Sequence, residues 1–247
     1  EEGLLKHATV TVGFRNLSYT VMGEVKDAGE YSIDKDEVTL LDTQYRMNEE
    51  IMRFSSSWFY DGKVKAAPIT AHRGILDYDT PIEWVDDVAN DDETVGETFV
   101  GETFGRINKV EARQVMELLQ SYFEKIGKQR ILDESIDVGI ISPYRAQVQY
   151  LRHLIKKETF FKPFRHLLSV NTVDGFQGQE RDVIIVSLVR SNNDGQIGFL
   201  RDLRRMNVAM TRARSKLIII GDHETLAHHE FYKKLYEYIK KHKTDNF

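Results

Sequence analysis

The sequence predicts an α/β fold in which helices cover both faces of a mainly parallel sheet, giving a three-layer sandwich. Short, predominantly apolar runs such as Val138–Ile141 and Val183–Val189 have the length and composition of buried strands. Amphipathic helical patterns lie between such runs, and parallel strands need crossover connections of this kind. The chain has 247 residues, of which 41% are hydrophobic, so it can form a sizeable core.

The N-terminal part of the chain shows few clear elements. Residues 1–36 have mixed patterning, so we assign them no element and take 37–247 as the domain. The apolar run 38–41 predicts a short strand, and the run 81–85 predicts another. The residue pattern of 47–59 between them is typical of a helix.

Residues 86–106 are expected to form a mobile acidic loop. Seven acids and no lysine or arginine lie between Asp86 and Glu102, and the five residues Val95–Phe99 are repeated as Val100–Phe104. A short repeat with glycine indicates a loop rather than a repeated fold unit. Because the formal charge of −5 becomes +2 without those seven acids, the overall charge excludes no class of partner.

The remaining elements have stronger patterns. Apolar residues at helical spacing from Ala112 to Ile126, followed by Gly127 at the helix end, predict a long helix. The strand at 138–141 leads into a helical pattern over 144–157. Further strands are expected at 167–170, 183–189 and 217–220, with helices near 202–213 and 223–243.

The composition excludes several kinds of chemistry. The chain has no cysteine, which rules out disulfides, thiolate nucleophiles and cysteine-ligated zinc. This fits a reducing compartment, and we expect a cytoplasmic, intracellular protein. No stretch is apolar enough to cross a membrane, and the first residues show no signal peptide, so we expect no membrane partner. The neighbouring His223, His228 and His229 do not complete a ligand set, so no metal site is predicted.

The first polar motif is Gln44-Tyr45-Arg46-Met47, which follows the predicted strand 38–41. A nucleotide site could use the tyrosine ring for stacking and the guanidinium for phosphate, which its planar fork binds in pairs of hydrogen bonds. The alternative is a surface tyrosine–arginine pair with a packing role, and the motif alone would favour it.

The second motif is Ser142-Pro143-Tyr144-Arg145, at the end of a buried strand. Pro143 fits a first helical turn, and Ser142 with the first helical N–H groups could hold a phosphate. An ordinary helix cap is the alternative for Ser142. Since ligands bind beyond the carboxyl ends of parallel strands, and most motifs follow predicted strands, we expect a site at that edge.

The third motif runs from Val170 to Asp182 and joins two apolar strands through a polar loop that contains two glycines. Its central residues are Val173-Asp174-Gly175-Phe176-Gln177-Gly178-Gln179-Glu180. Glycine allows a ligand to approach the backbone closely, and Glu180 and Gln177 could pair with ribose hydroxyls or with basic partners. A long surface turn is the alternative.

The fourth motif concentrates positive charge before the predicted strand 217–220. Its guanidiniums repel one another unless anions or distant carboxylates compensate. A phosphate site is one explanation, and structural ion pairs are the alternative for some of them. The four arginines are Arg204, Arg205, Arg212 and Arg214.

Together and in this order, the four motifs resemble those of superfamily 1 helicases of the up-frameshift/senataxin-like branch. The resemblance covers about 38–222 and is to the second, C-terminal RecA-like domain, of the AAA_12 type. It implies a RecA-like, P-loop NTPase-type fold. It also implies the C-terminal motor domain of an ATP-dependent DNA or RNA helicase, in which ATP lies between two RecA-like domains.

The resemblance assigns roles residue by residue. Arg46 and Arg212 match the arginines that approach the γ-phosphate, so both are expected to act as arginine fingers in catalysis. The positions expected to bind the nucleotide are Gln44, Tyr45, Gly178 and Glu180. The positions expected to contact single-stranded DNA or RNA are Ser142, Pro143, Tyr144 and Thr172.

The chain also departs from a complete motor. It has no Gly-x-x-x-x-Gly-Lys-Ser/Thr loop, and Asp133-Glu134 precedes a strand instead of following one. We therefore expect ATP to be bound with Mg²⁺ held by the first RecA-like domain of the same parent chain, which would be this domain's partner. The fragment alone is expected to be inactive. The alternative is a noncatalytic domain, derived from a helicase, that binds nucleic acid or protein.

Overall fold

A computed structural model describes residues 25–26, 30–31, 42–88, 96–101 and 105–244. The helices and strands, in chain order, are β1 (Val25–Lys26), β2 (Glu30–Tyr31), β3 (Thr43–Gln44), α1 (Glu49–Phe59), β4 (Lys65–Ala66), α2 (Pro68–Ala71), β5 (Ile82–Val85), β6 (Thr98–Val100), β7 (Gly105–Ile107), α3 (Lys109–Ile126), α4 (Lys128–Asp133), β8 (Val138–Ile141), α5 (Arg145–Lys157), β9 (Leu168–Asn171), β10 (Arg181–Ser187), α6 (Leu203–Met210), β11 (Ala213–Ile220), α7 (His223–Leu226) and α8 (Glu230–Thr244). Short 3₁₀ helices lie at Lys162–Leu167, Asp174–Phe176 and Gly198–Arg201. The predicted strand 38–41 lies outside the described residues.

The predicted parallel sheet is confirmed. Five strands lie in the order β5-β11-β10-β8-β9, and all neighbours in this sheet pair in parallel. Ile185 in β10 pairs with Ile140 on one side and with Ile218 on the other. Apolar runs form these strands because both faces of a sheet with helical crossovers are buried.

Helices cover both faces of the sheet, as the three-layer prediction requires. Side chains alternate between faces along a strand, so β10 sends Ile184 to one core and Ile185 to the other. The first core includes residues of α1, α6 and α8, and Phe231 is fully buried in it. The second core is built on α3, α4 and α5, with Phe123 packed edge-on against Phe164. Among the helices described, none is both long and apolar enough to cross a membrane.

The helix ends follow local capping chemistry. Asn108 caps α3 by accepting a hydrogen bond from the Glu111 N–H at 3.0 Å, and Gly127 ends the helix with φ of 89°, as predicted. The segment 223–243, predicted as one helix, is two, because Asp222 caps the single turn of α7 and α8 starts afresh at Glu230. Helix α5 begins at Arg145, so Pro143 lies before its first turn and not within it.

The expectation of a loop throughout 86–106 is wrong for part of that segment. Strands β6 and β7 pair in an antiparallel hairpin, in which Phe99 lies opposite Arg106 and the arginine carbon Cζ sits 4.3 Å from the ring centroid. The Glu97 side chain is 8% exposed and forms ion pairs with Arg106 and with Arg190, the second at 2.6 Å. The ion pair with Arg190 therefore ties Glu97 to a residue far along the chain. Most of the second repeat copy lies outside the described residues.

The sheet has two edges with different chemistry. The amino edge comprises residues that precede or open strands, namely Asp137, Glu180, Asp182, Arg212 and Arg214. The carboxyl edge comprises residues that follow strands, namely Asp87, Ser142, Thr172, Arg190 and Asp222. The seven residues of β10 separate the edges by about 20 Å.

These edges correct the expectation that the motifs gather at the carboxyl ends of the strands. It is right for Ser142 and Thr172, which follow β8 and β9, but wrong for Glu180 and Arg212, which precede β10 and β11. The reason is that the third and fourth motifs end where their strands begin.

Candidate functional sites at the two sheet edges

Gln44 shapes the turn that presents Tyr45 and Arg46. Its side-chain oxygen accepts hydrogen bonds from the backbone N–H groups of Arg46 at 2.8 Å and Met47 at 2.7 Å. Its amide nitrogen donates to the Met47 carbonyl at 2.9 Å. The Gln44 amide is therefore engaged with its own turn, while the Tyr45 side chain is 69% exposed.

Glu180 holds two arginines, one at each carboxylate oxygen. Arg46 donates through Nε to Oε2, and Arg214 donates through Nη1 to Oε1 at 3.2 Å. Burial alone would raise the pKa of the Glu180 carboxyl, but the hydrogen bonds and charges of the two guanidiniums outweigh it and lower the pKa. Glu180 is thus an anionic anchor for Arg46, which also donates to the Thr211 carbonyl at 3.2 Å.

Arg214 is engaged by carboxylates on three sides. Besides Glu180, it contacts Asp182 and Asp137, each at 3.0 Å. Burial lowers the pKa of Arg214, but these three carboxylates outweigh burial and raise it above its ordinary value. The structural ion-pair interpretation is therefore correct for this arginine.

Arg212 has a different environment. It donates to the carbonyls of Val208 at 3.1 Å and Gln179 at 3.2 Å, and no carboxylate in the described part of the chain forms a salt bridge with it. Burial and then the nearby charge of Arg46 lower the pKa of the Arg212 guanidinium, and Glu180 only partly offsets them. A half-buried guanidinium beside another one, with no anion in contact, is suited to bind an anion.

Gly178 leaves open space beside these arginines. It is exposed with φ of +74°, and a Cβ atom built there would meet nothing within 4 Å. Glycine is therefore required by the backbone conformation and not by packing within the chain. The structure brings together at the amino edge Arg46, Gly178, Glu180 and Arg212, with Tyr45 beside Arg46.

The residues predicted to contact a strand of nucleic acid lie at the carboxyl edge and are unequally exposed. Ser142 is fully buried, and its Oγ accepts a hydrogen bond from the Tyr144 N–H at 3.4 Å. Tyr144 is 6% exposed, while Pro143 and Thr172 are half-buried. The Ser142 hydroxyl therefore supports the following turn and offers no surface to a ligand in this conformation.

Sequence reasoning missed a buried polar network behind these residues. The Arg190 side chain donates to the Tyr144 hydroxyl at 3.4 Å and pairs with Glu97. Glu111 is fully buried and accepts hydrogen bonds from the Ser187 hydroxyl at 2.6 Å and the Val189 N–H at 2.9 Å. Burial raises the pKa of the Glu111 carboxyl well above its ordinary value. The available signal was the position of Glu111, directly before the predicted helix 112–126 and one helical turn from the apolar Val115.

The network also supports a strained backbone. Val189 has φ of +72°, which is rare for a β-branched residue, and Glu111 binds its N–H. The chain turn that follows brings Arg190 to Tyr144 and Glu97. Phe199, another residue missed from the sequence, lies with its ring centroid 5.4 Å from that of Tyr144.

Comparisons with known proteins agree with the motifs. The family model of an AAA domain designated AAA_12 matches residues 17–224. The DNA polymerase alpha-associated DNA helicase A of Saccharomyces cerevisiae is 38% identical over 208 residues, which cover 78% of this chain and 29% of that protein. An uncharacterized ATP-dependent helicase of Methanocaldococcus jannaschii is 36% identical over 82% of this chain and 29% of its own length.

A third relative, the regulator of nonsense transcripts 1 homolog of Neurospora crassa, is 34% identical over 81% of this chain and 18% of that protein. The chain thus spans less than a third of each of these relatives. The family match covers most of the chain, and the motif order and the parallel sheet agree with it. The chain therefore belongs to the AAA_12 family of AAA domains and is a helicase domain of the up-frameshift/senataxin-like branch of superfamily 1.

Proposed function

We propose that this chain is the C-terminal motor domain of an ATP-dependent superfamily 1 helicase acting on DNA or RNA. The observation that carries the proposal is the environment of Arg212: it lies beside Arg46, and among the described residues no carboxylate forms a salt bridge with it. Two guanidiniums at one open edge suit the charge that develops on a transferred phosphoryl group. An intracellular, cytoplasmic place of action accompanies this proposal.

The residues at the amino edge fit one face of a bound ATP. Arg46 and Arg212 would stabilise the γ-phosphate charge, Glu180 would orient Arg46, and Tyr45 would pack on the base or ribose. Gly178 leaves the backbone of its loop open to the nucleotide. Gln44 would act indirectly, since its amide already holds the turn of Arg46.

Magnesium does not fit this edge. The carboxylates of Glu180, Asp182 and Asp137 are engaged by arginines, and the described residues contain no group of acids and histidines suited to a metal. We therefore assign Mg²⁺, with the phosphate loop, to the first RecA-like domain of the parent chain. This domain alone is expected to hydrolyse no ATP.

The carboxyl edge is proposed to contact a single strand. Pro143, Tyr144 and Thr172 would meet the strand, and Ser142 would hold the turn beneath it. Contacts to the sugar-phosphate backbone would make binding independent of sequence and sensitive to salt. A noncatalytic binding domain is the other candidate function, and it would use this edge without the arginines of the amino edge.

The test is strand-stimulated ATP hydrolysis by the parent helicase, comparing Arg46→Ala and Arg212→Ala with Arg205→Ala. Arg205 is a suitable control because it is exposed and already paired with Asp174 at 3.4 Å and Asp202 at 3.5 Å. We expect turnover to fall about 10³-fold or more in the first two variants and to change little in the control. If all three variants keep wild-type turnover, the motor proposal is wrong and the binding-domain function remains.

A further inference from the structure

Phe199 is a large apolar side chain held in solvent at the carboxyl edge. It is 65% exposed and lies in the 3₁₀ helix Gly198–Arg201. Its ring lies 5.4 Å from the Tyr144 ring, at an interplanar angle of 33°. Phe199 also lines a shallow cleft together with Pro143, so it borders two of the residues already proposed to contact a strand.

The backbone on both sides of Phe199 is fixed. Gly198 has φ of +54°, and a Cβ atom there would lie 2.1 Å from Arg190 Nη1 and 2.9 Å from the Tyr144 hydroxyl oxygen. Only glycine therefore fits where this segment crosses the buried arginine. On the other side, Leu200 is buried and its carbonyl accepts a hydrogen bond from the Tyr232 hydroxyl at 2.6 Å. The exposed ring is thus presented by a rigid frame, which limits the entropy lost on binding.

The surroundings point to one class of ligand. Arg145 follows Tyr144 directly and Arg201 lies two residues after Phe199, and both side chains are exposed. An exposed aromatic ring with exposed arginines close to it in sequence fits an unpaired base joined to phosphates, because the ring stacks on any base while cations meet the backbone.

We propose that Phe199 is a base-stacking residue for single-stranded nucleic acid, supported from below by Tyr144, Gly198 and Arg190. This rests on the proposed function and extends it, since the contacts assigned so far involve the sugar-phosphate backbone. The site takes a nucleobase without preference for its identity.

The experiment measures the affinity of the 247-residue chain for a fluorescently labelled single strand by anisotropy, over a range of salt concentrations. The variants are Phe199→Ala, Phe199→Leu and Phe199→Trp. Tyr78→Ala is the matched control, because Tyr78 is a fully exposed aromatic residue that precedes β5 and so lies at the amino edge of the sheet. The probes are an oligonucleotide with bases and one of equal length with abasic sites. Thermal unfolding checks that each variant is folded.

We expect Phe199→Ala and Phe199→Leu to weaken binding about 5- to 150-fold, the range for loss of one base–aromatic stack, while Phe199→Trp and the control bind like the wild type. The slope of log affinity against log salt should not change, because stacking releases no counterions. The wild type should bind the abasic strand more weakly than the strand with bases. Phe199→Ala should bind the two strands with similar affinity.

Other results overturn the proposal in distinct ways. If the wild type binds both kinds of strand and Phe199→Ala binds equally well, the stacking role fails while the proposed function stands. If Phe199→Leu retains full affinity, the side chain serves an apolar contact and not a stack. If the wild type binds no strand at all, the proposed strand contact fails together with this assignment.

Discussion

The carboxylate of Glu180 links the geometry of the amino edge to the stability of the domain, and Glu180→Gln tests that link. The amide keeps the size of the side chain but removes the charge that Arg46 and Arg214 share. The Glu180 side chain is 40% exposed, so solvent screens both pairs and each is worth about 0.5 kcal/mol. We expect the variant to lose about 1 kcal/mol of unfolding free energy at pH 7, or about 2–4 °C in Tm.

The pH dependence of this difference has a definite sign. The pKa of Glu180 is lowered in the folded state, so its stabilisation is complete above the ordinary glutamate pKa of about 4.3 and is lost as the pH falls through the folded value. Urea unfolding followed by circular dichroism at pH 7 and at about pH 3.5 measures the difference between wild type and variant.

The matched control for this experiment is Glu134→Gln. Glu134 forms an exposed pair with Arg130 one helical turn away at 2.8 Å, so its loss should change stability much less than the loss of the Glu180 charge. Two results would refute the reasoning about Glu180. One is a variant as stable as the wild type at pH 7, and the other is a difference that persists undiminished in acid.

Three further substitutions test the sheet edges and the core. Lys216 is 2% exposed and pairs with Asp79 and Glu83. Lys216→Met should lower the free energy of unfolding, measured by urea denaturation, by about 3–5 kcal/mol. A loss below about 1 kcal/mol would contradict this. Burial raises the pKa of Asp87 to about 6, so the wild type should gain stability as the pH falls from about 7 to 4. Asp87→Asn should remove the Asp87 part of that gain, leave the part that comes from Glu111, and add about 1–2 kcal/mol of unfolding free energy at pH 7. An unchanged pH profile would argue against this. Gly198→Ala should lower Tm more than Gly62→Ala, since both have positive φ but only the former meets Arg190, and equal shifts would count against that clash.

Much of the fold follows from the sequence because its strands are buried on both faces. The runs 138–141 and 183–189 are apolar for this physical reason, and each forms a strand of the parallel sheet. The long helix that ends at Gly127 follows from the helical spacing of its apolar residues and from the glycine at its end. These signals are local, so they can be read without knowing what packs against them.

The hairpin of β6 and β7 could not be read in this way. Glu97 ties it to the rest of the domain through ion pairs, one of them with Arg190, which lies 93 residues further along the chain. An acidic, glycine-containing stretch resembles a loop until the compensating arginines are placed beside it. The division of the C-terminal helix likewise depends on Asp222, whose cap starts a helix of a single turn.

The roles assigned to the site residues stay predictions, but the structure does show their environments, which the sequence could not. The motif order brings Arg46 and Arg212 to one site in the prediction, and the structure places them close enough to lower the pKa of Arg212. The sequence could not show that Arg214 is engaged by three carboxylates while Arg212 has none among the described residues. Nor could it show that Ser142 is fully buried, because burial depends on the packing around the strand end.

The most direct measurement is the affinity of the parent helicase for ADP with aluminium fluoride, an analogue of the phosphoryl-transfer transition state, compared with its affinity for a nonhydrolysable ATP analogue. If the charge of Arg212 stabilises the transition state, Arg212→Ala should weaken binding of the transition-state analogue about 100-fold or more. Binding of the ATP analogue should change much less. Equal weakening of both ligands, or of neither, would contradict the assignment of Arg212 as an arginine finger.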